Sequence, residues 1–271
     1  MAAGLMFLFG SLSFAMAQKN AASAKSNSKP IDMLGWKLVW SDEFDKDGPP
    51  NPANWKFEKG FVRNEEFQWY QETNAICRNG KLTIEARRER TPNPDYSEGV
   101  SEWRRNREFA KYSSSSLKTE GLHAWRYGRF EMRARIDART GMRPAFRTIG
   151  SEGEWPSGGE IDVMEFYRGN LPANLVWGTD KRWIWKRHSA SRPITDFKDS
   201  KCSSKFHVWR TDWDEKAIIL SVDGRELNRT DLNETVNGDG SGKNPFKQPR
   251  YLLLNLAIGG QNGGEVGIID F

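Results

Sequence analysis

Cysteine and histidine are scarce in this chain. Two cysteines (Cys77, Cys202) and three histidines (His123, His188, His207) stand in 271 residues. None falls at the spacing of a metal-ligand set, so the sequence carries no metal motif. In an exported chain the two cysteines have the option of pairing, but their separation along the chain does not decide it. Two distant thiols are commonly small core residues. A sustained helical period is missing, as is any internal repeat, which argues against a bundle or a solenoid. No apolar run is long enough for a comfortable membrane span. Charge of one sign does not dominate either. The net +5 comes from 41 basic and 36 acidic residues, well interspersed, which describes a mixed solvated surface and not a nucleic-acid footprint.

The apolar run that is present, Gly4–Ala17 (GLMFLFGSLSFAMA), ends in a small-x-small triplet, Ala15-Met16-Ala17. It reads as a signal peptide over residues 1–17 and gives the expectation of a secreted or periplasmic protein. Residues 18–33 are polar and rich in Ser, Asn and Lys, as in a flexible linker. A single domain is expected over residues 34–271. Its hydrophobic content of 37% supplies a core, and its twelve tryptophans exceed what a core alone needs, which suggests aromatic binding surfaces.

From Trp36 onward, short apolar or alternating runs are separated by turn signals. Trp36–Trp40 and Lys81–Ala86 alternate, the second after the turn Arg78-Asn79-Gly80. Gly128–Asp137 sets Phe130, Met132, Ala134 and Ile136 on one face and charges on the other. Lys216–Val222, Asp223-Gly224 and Arg225–Leu227 read as a hairpin, and Tyr251–Ile258 as a strand buried on both faces. Many short strands with regular turns predict an all-β antiparallel sandwich. The polar stretches 88–110, 186–204 and 228–248 are expected to be surface loops.

One stretch breaks the pattern. In Gly159–Phe166 (GEIDVMEF), strand parity puts Glu160 and Asp162 on one face and Glu165 on the other, with Ile161 and Val163. A carboxylate there is costly to bury. A β-bulge at Val163-Met164 inserts one extra residue and restores phase, so that Glu160, Asp162 and Glu165 share a face while Ile161 and Phe166 turn to the core. Carboxylates this close cannot all ionise freely. Their pKa values should split, one glutamate staying charged and the other being pushed up to hold a proton. That is the nucleophile and acid/base pair of a retaining glycosidase, with Asp162 tuning the nucleophile. The residues alone leave open an ordinary half-exposed strand, or a short helix from Glu160 to Arg168.

The wider sequence resembles glycoside hydrolase family 16. Trp155–Glu165 (WPSGGEIDVME) fits the family's catalytic signature. Leu38–Phe44, Arg63–Gln71 with Asn74-Ala75, Tyr127–Ala134 and Asn255–Gly260 resemble, in the same order, its other conserved segments. The resemblance spans about residues 36–264. It implies a β-jelly-roll sandwich of two antiparallel sheets with a concave sugar cleft, and endo-hydrolysis of a β-linked polysaccharide with retention. Glu160 matches the nucleophile, Glu165 the general acid/base, Asp162 the assisting carboxylate and Trp155 an aromatic platform. Asn64, Glu66 and Gln68 match the segment bordering the cleft, and on a strand all three would project one way. Asn255 and Gln261 complete the expected substrate-binding set. No cofactor is required and no metal ligand is assigned. The expected partner is a polysaccharide bound by a monomer, without nucleic acid or a membrane span.

Two features depart from the family. Its W-P-A-F-W segment is here Arg143-Pro-Ala-Phe-Arg147. Arginine supplies no Trp-sized plate and, turned inward, would be a destabilising buried charge. The chain also stops at Phe271, short of the family's closing strand, which would leave an open sheet edge and weaken the structural calcium site that many relatives carry. The resemblance points first to β-1,3 or mixed β-1,3-1,4 glucan. Galactan or O-glycan chains, or a catalytically impaired carbohydrate-binding protein, are the alternatives.

Overall fold

The computed structural model describes residues 5–8, 15–19, 36–199 and 201–260. The site lies on a seven-stranded sheet, whose strands we number in chain order: β1 (Lys56–Phe57), β2 (Ser116–Lys118), β3 (Met142–Gly150), β4 (Glu160–Glu165), β5 (Asn170–Gly178), β6 (Trp185–Pro193) and β7 (Arg250–Ile258). Their spatial order is β6-β5-β4-β3-β7-β2-β1, antiparallel throughout. A six-stranded sheet packs against it and includes Gly128–Ala134, His207–Trp213, Ala217–Val222 and Arg225–Asp231. A smaller sheet is built on Leu82–Pro92 and Phe109–Ser114, where Gln68–Tyr70 adds the one parallel pairing among the described strands.

Strand parity accounts for the core. On β7, Leu252, Leu254, Leu256 and Ile258 are fully buried toward the six-stranded sheet, where Phe130, Met132, Ala134, Trp209, Trp213, Ile218, Leu220 and Val222 meet them. Each buried Leu, Ile, Val, Phe or Met side chain among these contributes about 1.5–3 kcal/mol. The alternate residues of β7, Tyr251, Leu253, Asn255 and Ala257, pair through β3 with Ile149, Arg147, Ala145 and Arg143 on the opposite, concave face. The expected turns are present. Asn79-Gly80 and Asp223-Gly224 both have positive φ at the two central positions, the geometry that matches strand twist in a tight hairpin. Cys77 and Cys202 are free and buried, each a small core residue.

Some expectations need correction. The stretch 186–204 is not a loop throughout, because β6 occupies Trp185–Pro193. β6 is the edge strand, and eight of its nine residues are exposed, so it has no apolar alternation to reveal it. Strands also extend into the other two stretches, to Pro92 and from Phe109 in the first, and to Asp231 in the last. Of the apolar N-terminal run, the backbone of Leu5–Leu8 pairs with Leu82–Pro92 and that of Ala15–Lys19 with Gly128–Ala134 and Trp36–Trp40. The rest of the run, and residues 20–33 of the expected linker, lie outside the described residues.

Candidate active site

β4 solves the parity problem with the expected bulge. Glu160, Ile161 and Asp162 pair with Ile149, Thr148 and Arg147 of β3. The register then slips between Phe146 and Arg147, and Met164 and Glu165 pair with Phe146 and Ala145. Val163 is therefore the residue without a partner. Ile161, Val163, Met164 and Phe166 all lie in the core. Glu160, Asp162 and Glu165 line up on the concave face, with exposures of only 8%, 5% and 4%. The helical and solvated-strand alternatives are excluded.

Arg147 ties the row together. It sits opposite Asp162 on β3, and its Nη1 donates to Glu160 Oε1 at 2.6 Å. Its Nη2 lies 3.6 Å from Glu165 Oε1 and its Nε 3.8 Å from Asp162 Oδ1. Arg143, one step further along the same face, donates to Glu165 Oε1 from Nε at 2.7 Å and pairs through Nη2 at 2.6 Å. Arg147 is buried as the departure from the family pattern feared, but it is not an unpaired charge. It is the counter-ion of Glu160 and lies within 4 Å of the carboxyl groups of Asp162 and Glu165. The sequence signal was available in parity, since residues 143, 145 and 147 alternate on the strand beside the acidic row.

The protonation pattern follows from these contacts. Burial works to raise the pKa of Glu160. The Arg147 guanidinium overrides it, aided by bonds from Trp155 and Asp162, and holds Glu160 below the usual carboxylate range. For Asp162, burial and the charges of Glu160 and Glu165 act together and push it well up, against Arg147 and Asn174. As an acceptor, Asp162 Oδ1 has no partner; protonated, it donates to Glu160 and resolves the deficit. Its Oδ2 accepts from Asn174 Nδ2 at 3.1 Å. The carboxyl pushed up is thus that of Asp162, where the sequence reading expected a glutamate.

This has a measurable consequence. Asp162 keeps its proton above the pH at which the unfolded chain releases it. Folding then takes up a proton, and stability falls as pH rises above about 3.9, until the folded group itself ionises. Asparagine cannot ionise, so Asp162→Asn gains stability relative to the parent protein between pH 4 and pH 8, while its turnover drops. Urea denaturation of both proteins at the two pH values measures the gain; an unchanged difference in stability contradicts a protonated Asp162.

The other expected residues are found on two sides of the row. Trp155, 40% exposed, donates Nε1 to Glu160 Oε2 at 2.8 Å, so it stands beside the residue expected to be the nucleophile. Asn64, Glu66 and Gln68 converge, but not on one strand. The strand begins at Gln68, and Asn64 and Glu65 have φ values of +55° and +50° in a turn. Arg107 clamps that turn by donating to the carbonyls of Glu65 and Glu66. Glu66 then accepts from Asn64 Nδ2, Gln68 Nε2 and the Tyr70 hydroxyl, and Asn255 Nδ2 donates to the same hydroxyl. Gly260 (φ +92°) abuts this turn, where a Cβ would come within 2.6 Å of the Asn64 carbonyl oxygen. Gln68 and Asn255 are buried, and Gln68 Oε1 accepts from the backbone of Ile258. Gln261 lies outside the described residues. Sequence reasoning missed Asn174, which supports Asp162, and Arg250. The fully buried Arg250 donates to the carbonyls of Thr148, Pro245 and Gly159, fixing the turn that leads into Glu160. Among the described residues no group of three His, Cys, Asp or Glu side chains is arranged to hold a metal ion.

Comparison with known proteins agrees with this geometry. Residues 63–271 match the family described as Glycosyl hydrolases family 16. A beta-glucanase of Rhodothermus marinus is 33% identical over 86% of this chain and 79% of its own length. The laminarinase catalytic domain of Thermotoga maritima superposes with a TM-score of 0.70 at 29% identity, covering 87% of this chain and 93% of that one. A structure reported with endo-acting O-glycanases of the human gut microbiota that initiate mucin breakdown gives a TM-score of 0.79 at 29% identity, covering 89% and 87%. The chain spans 30% and 35% of two longer relatives.

Proposed function

Because this chain belongs to glycosyl hydrolase family 16 and is a glycosidase that hydrolyses O-glycosyl bonds, we propose that it cleaves internal linkages of a β-1,3 or mixed β-1,3-1,4 glucan with retention of configuration. The single observation carrying this reading is the bulge at Val163, which brings Glu165 to the same face as Glu160 and Asp162. Glu165 delivers a proton to the leaving oxygen. Glu160 attacks the anomeric carbon and forms a glycosyl–enzyme bond as the bond to the leaving oxygen breaks. Glu165, now a base, takes a proton from water, and the hydroxide so formed releases the sugar and regenerates Glu160. Asp162, through its proton, and Trp155, through its indole N–H, keep Glu160 oriented. No step calls for a cofactor. The apolar run at Gly4–Ala17 supports export of the enzyme, which we take to act as a monomer on polysaccharide outside the cytoplasm.

Incubation with laminarin, barley β-glucan and galactan tests the reading. New reducing ends and mid-length oligosaccharides are expected from the first two. Binding to all three without product contradicts it. A second reading, cleavage of β-galactan or O-glycan arms, draws on the likeness to the endo-acting O-glycanase structure, and product from galactan alone would select it.

A further inference from the structure

A second aromatic surface lies beyond the catalytic row. Trp183, Ile184 and Trp185 are consecutive and 51%, 53% and 44% exposed, the largest run of bare apolar surface among the described residues. They close the turn between β5 and β6. Exposed tryptophan in one patch marks an interaction site more often than a neutral surface. Three observations show that this patch is built and held. Trp183 has φ +66°, a conformation that costs a bulky residue energy and that persists only where its surroundings enforce it. The turn is braced internally, with Thr179 N and Oγ1 both bonded to the Ile184 carbonyl and Ile184 N bonded to Lys181. Arg182 and Arg187 stack on the rings of Trp183 and Trp185, at 5.1 and 5.3 Å.

The patch is also coupled to the catalytic face. Glu160 pairs with Val176, and Val176 with Arg187. Trp185, opposite Gly178, therefore projects from the same face of the sheet as Glu160. Two strand spacings and one two-residue step separate them, about 12 Å. Gly178 cannot carry a side chain, because a Cβ there would run into Ser157 Oγ. Through Ser157, β5 abuts the loop that holds Trp155. The same loop is clamped to the tryptophan turn by Arg182, whose Nε and Nη2 donate to Glu154 at 2.7 and 2.8 Å. Trp155, which bonds Glu160, and the Trp183–Trp185 turn are thus joined through the packing of Gly178 on Ser157 and the Arg182–Glu154 pair.

We infer that Trp183 and Trp185 form an accessory carbohydrate platform on the nucleophile side of the site, which stacks sugar rings of the substrate chain several residues from the cleaved bond. The inference rests on the glycanase reading and deepens it. Indole faces bind pyranose faces regardless of linkage detail, and a platform at this distance engages only chains long enough to reach it. It sets a preference for polymer over short oligosaccharide, acting on KM and leaving chemistry to the carboxylate row.

The test compares the parent protein with Trp183→Ala/Trp185→Ala on laminarin and on the shortest laminari-oligosaccharide that is cleaved. The ratio of kcat/KM on polymer to that on oligosaccharide is expected to fall at least tenfold, through KM. Equal losses on both substrates, or no loss, overturn the platform while leaving the catalytic reading in place. Affinity electrophoresis in gels containing laminarin, barley glucan or galactan separates the two ideas further. Retention that disappears in the double variant supports the platform even if no polymer is hydrolysed. Absence of retention of the parent protein in every gel overturns it. Light scattering covers the other occupant: a dimer of the parent protein that dissociates in the double variant assigns the patch to self-association and also overturns the proposal.

Discussion

Glu160→Ala loses turnover on polysaccharide by a factor on the order of 10⁵–10⁶, the scale seen when a catalytic nucleophile is removed. Glu165→Ala loses roughly 10²–10⁴, the share of a general acid/base. The two differ in kind as well as size. An aryl β-glycoside with a good leaving group needs no protonation, so Glu165→Ala retains the first step on it and stalls at the covalent intermediate. Added azide then distinguishes the roles. In Glu165→Ala it attacks the glycosyl–enzyme from the vacated side and yields a β-glycosyl azide. In Glu160→Ala it enters where the nucleophile stood and yields the α-azide. Product analysis by NMR reads the answer, and exchanged outcomes would reverse the two assignments. Because Glu160 and Glu165 lie at the two ends of a six-residue strand, both substitutions report on the same bulge.

The second large effect concerns stability. Arg147 is 8% exposed and pairs with a row of three carboxylates buried to a similar degree. Removing one partner of a buried pair leaves the other uncompensated, at a cost of about 3–5 kcal/mol. Arg147→Met, close in volume and without charge, is expected to lose that much, which lowers Tm by roughly 10 °C in a domain of this size. Adding Glu160→Gln to it removes one of the orphaned charges and recovers part of the loss, so the effects of the two substitutions are not additive. Thermal unfolding of the single and double variants measures the coupling. Additive losses, or an Arg147→Met variant as stable as the parent, would show that the guanidinium is not the counter-ion of the row. Arg143 is more exposed and contacts Glu165 alone at close range, so its loss costs less.

How far the sequence carried these conclusions differs from residue to residue. The bulge was legible because two rules collided: strand alternation put Glu165 in the core, and carboxylates are not buried there unpaired. Phe130, Met132 and Ala134 were legible by alternation, and Tyr251–Ile258 by its unbroken apolar run. Edge strand β6 was not, because after Trp185 its residues are mostly polar on both faces and leave no period to read. The segment at Asn64–Gln68 has a period-2 spacing that on a strand would project its polar residues one way. It converges instead through a turn held by Arg107, forty-one residues beyond Glu66, a contact no local pattern encodes. The arginines at 143 and 147 were visible as departures, but their partners are set by cross-strand register, which is a property of the fold. The site of the resident proton was missed for the same reason. Which carboxyl in a cluster is raised depends on where the nearby cations sit: Arg147 bonds Glu160 at 2.6 Å while its Nε remains 3.8 Å from Asp162, and Arg143 bonds Glu165.

The proposed mechanism requires Glu160 and Glu165 to work from one face of β4 as nucleophile and acid/base. Proton NMR of the sugar anomer first formed from a β-linked glucan, recorded before mutarotation equilibrates it, tests that most directly. A signal that begins as the β-anomer and only later acquires α is the predicted result. An α-anomer appearing first would mean single displacement by water, and would contradict the assignment of Glu160 as a nucleophile.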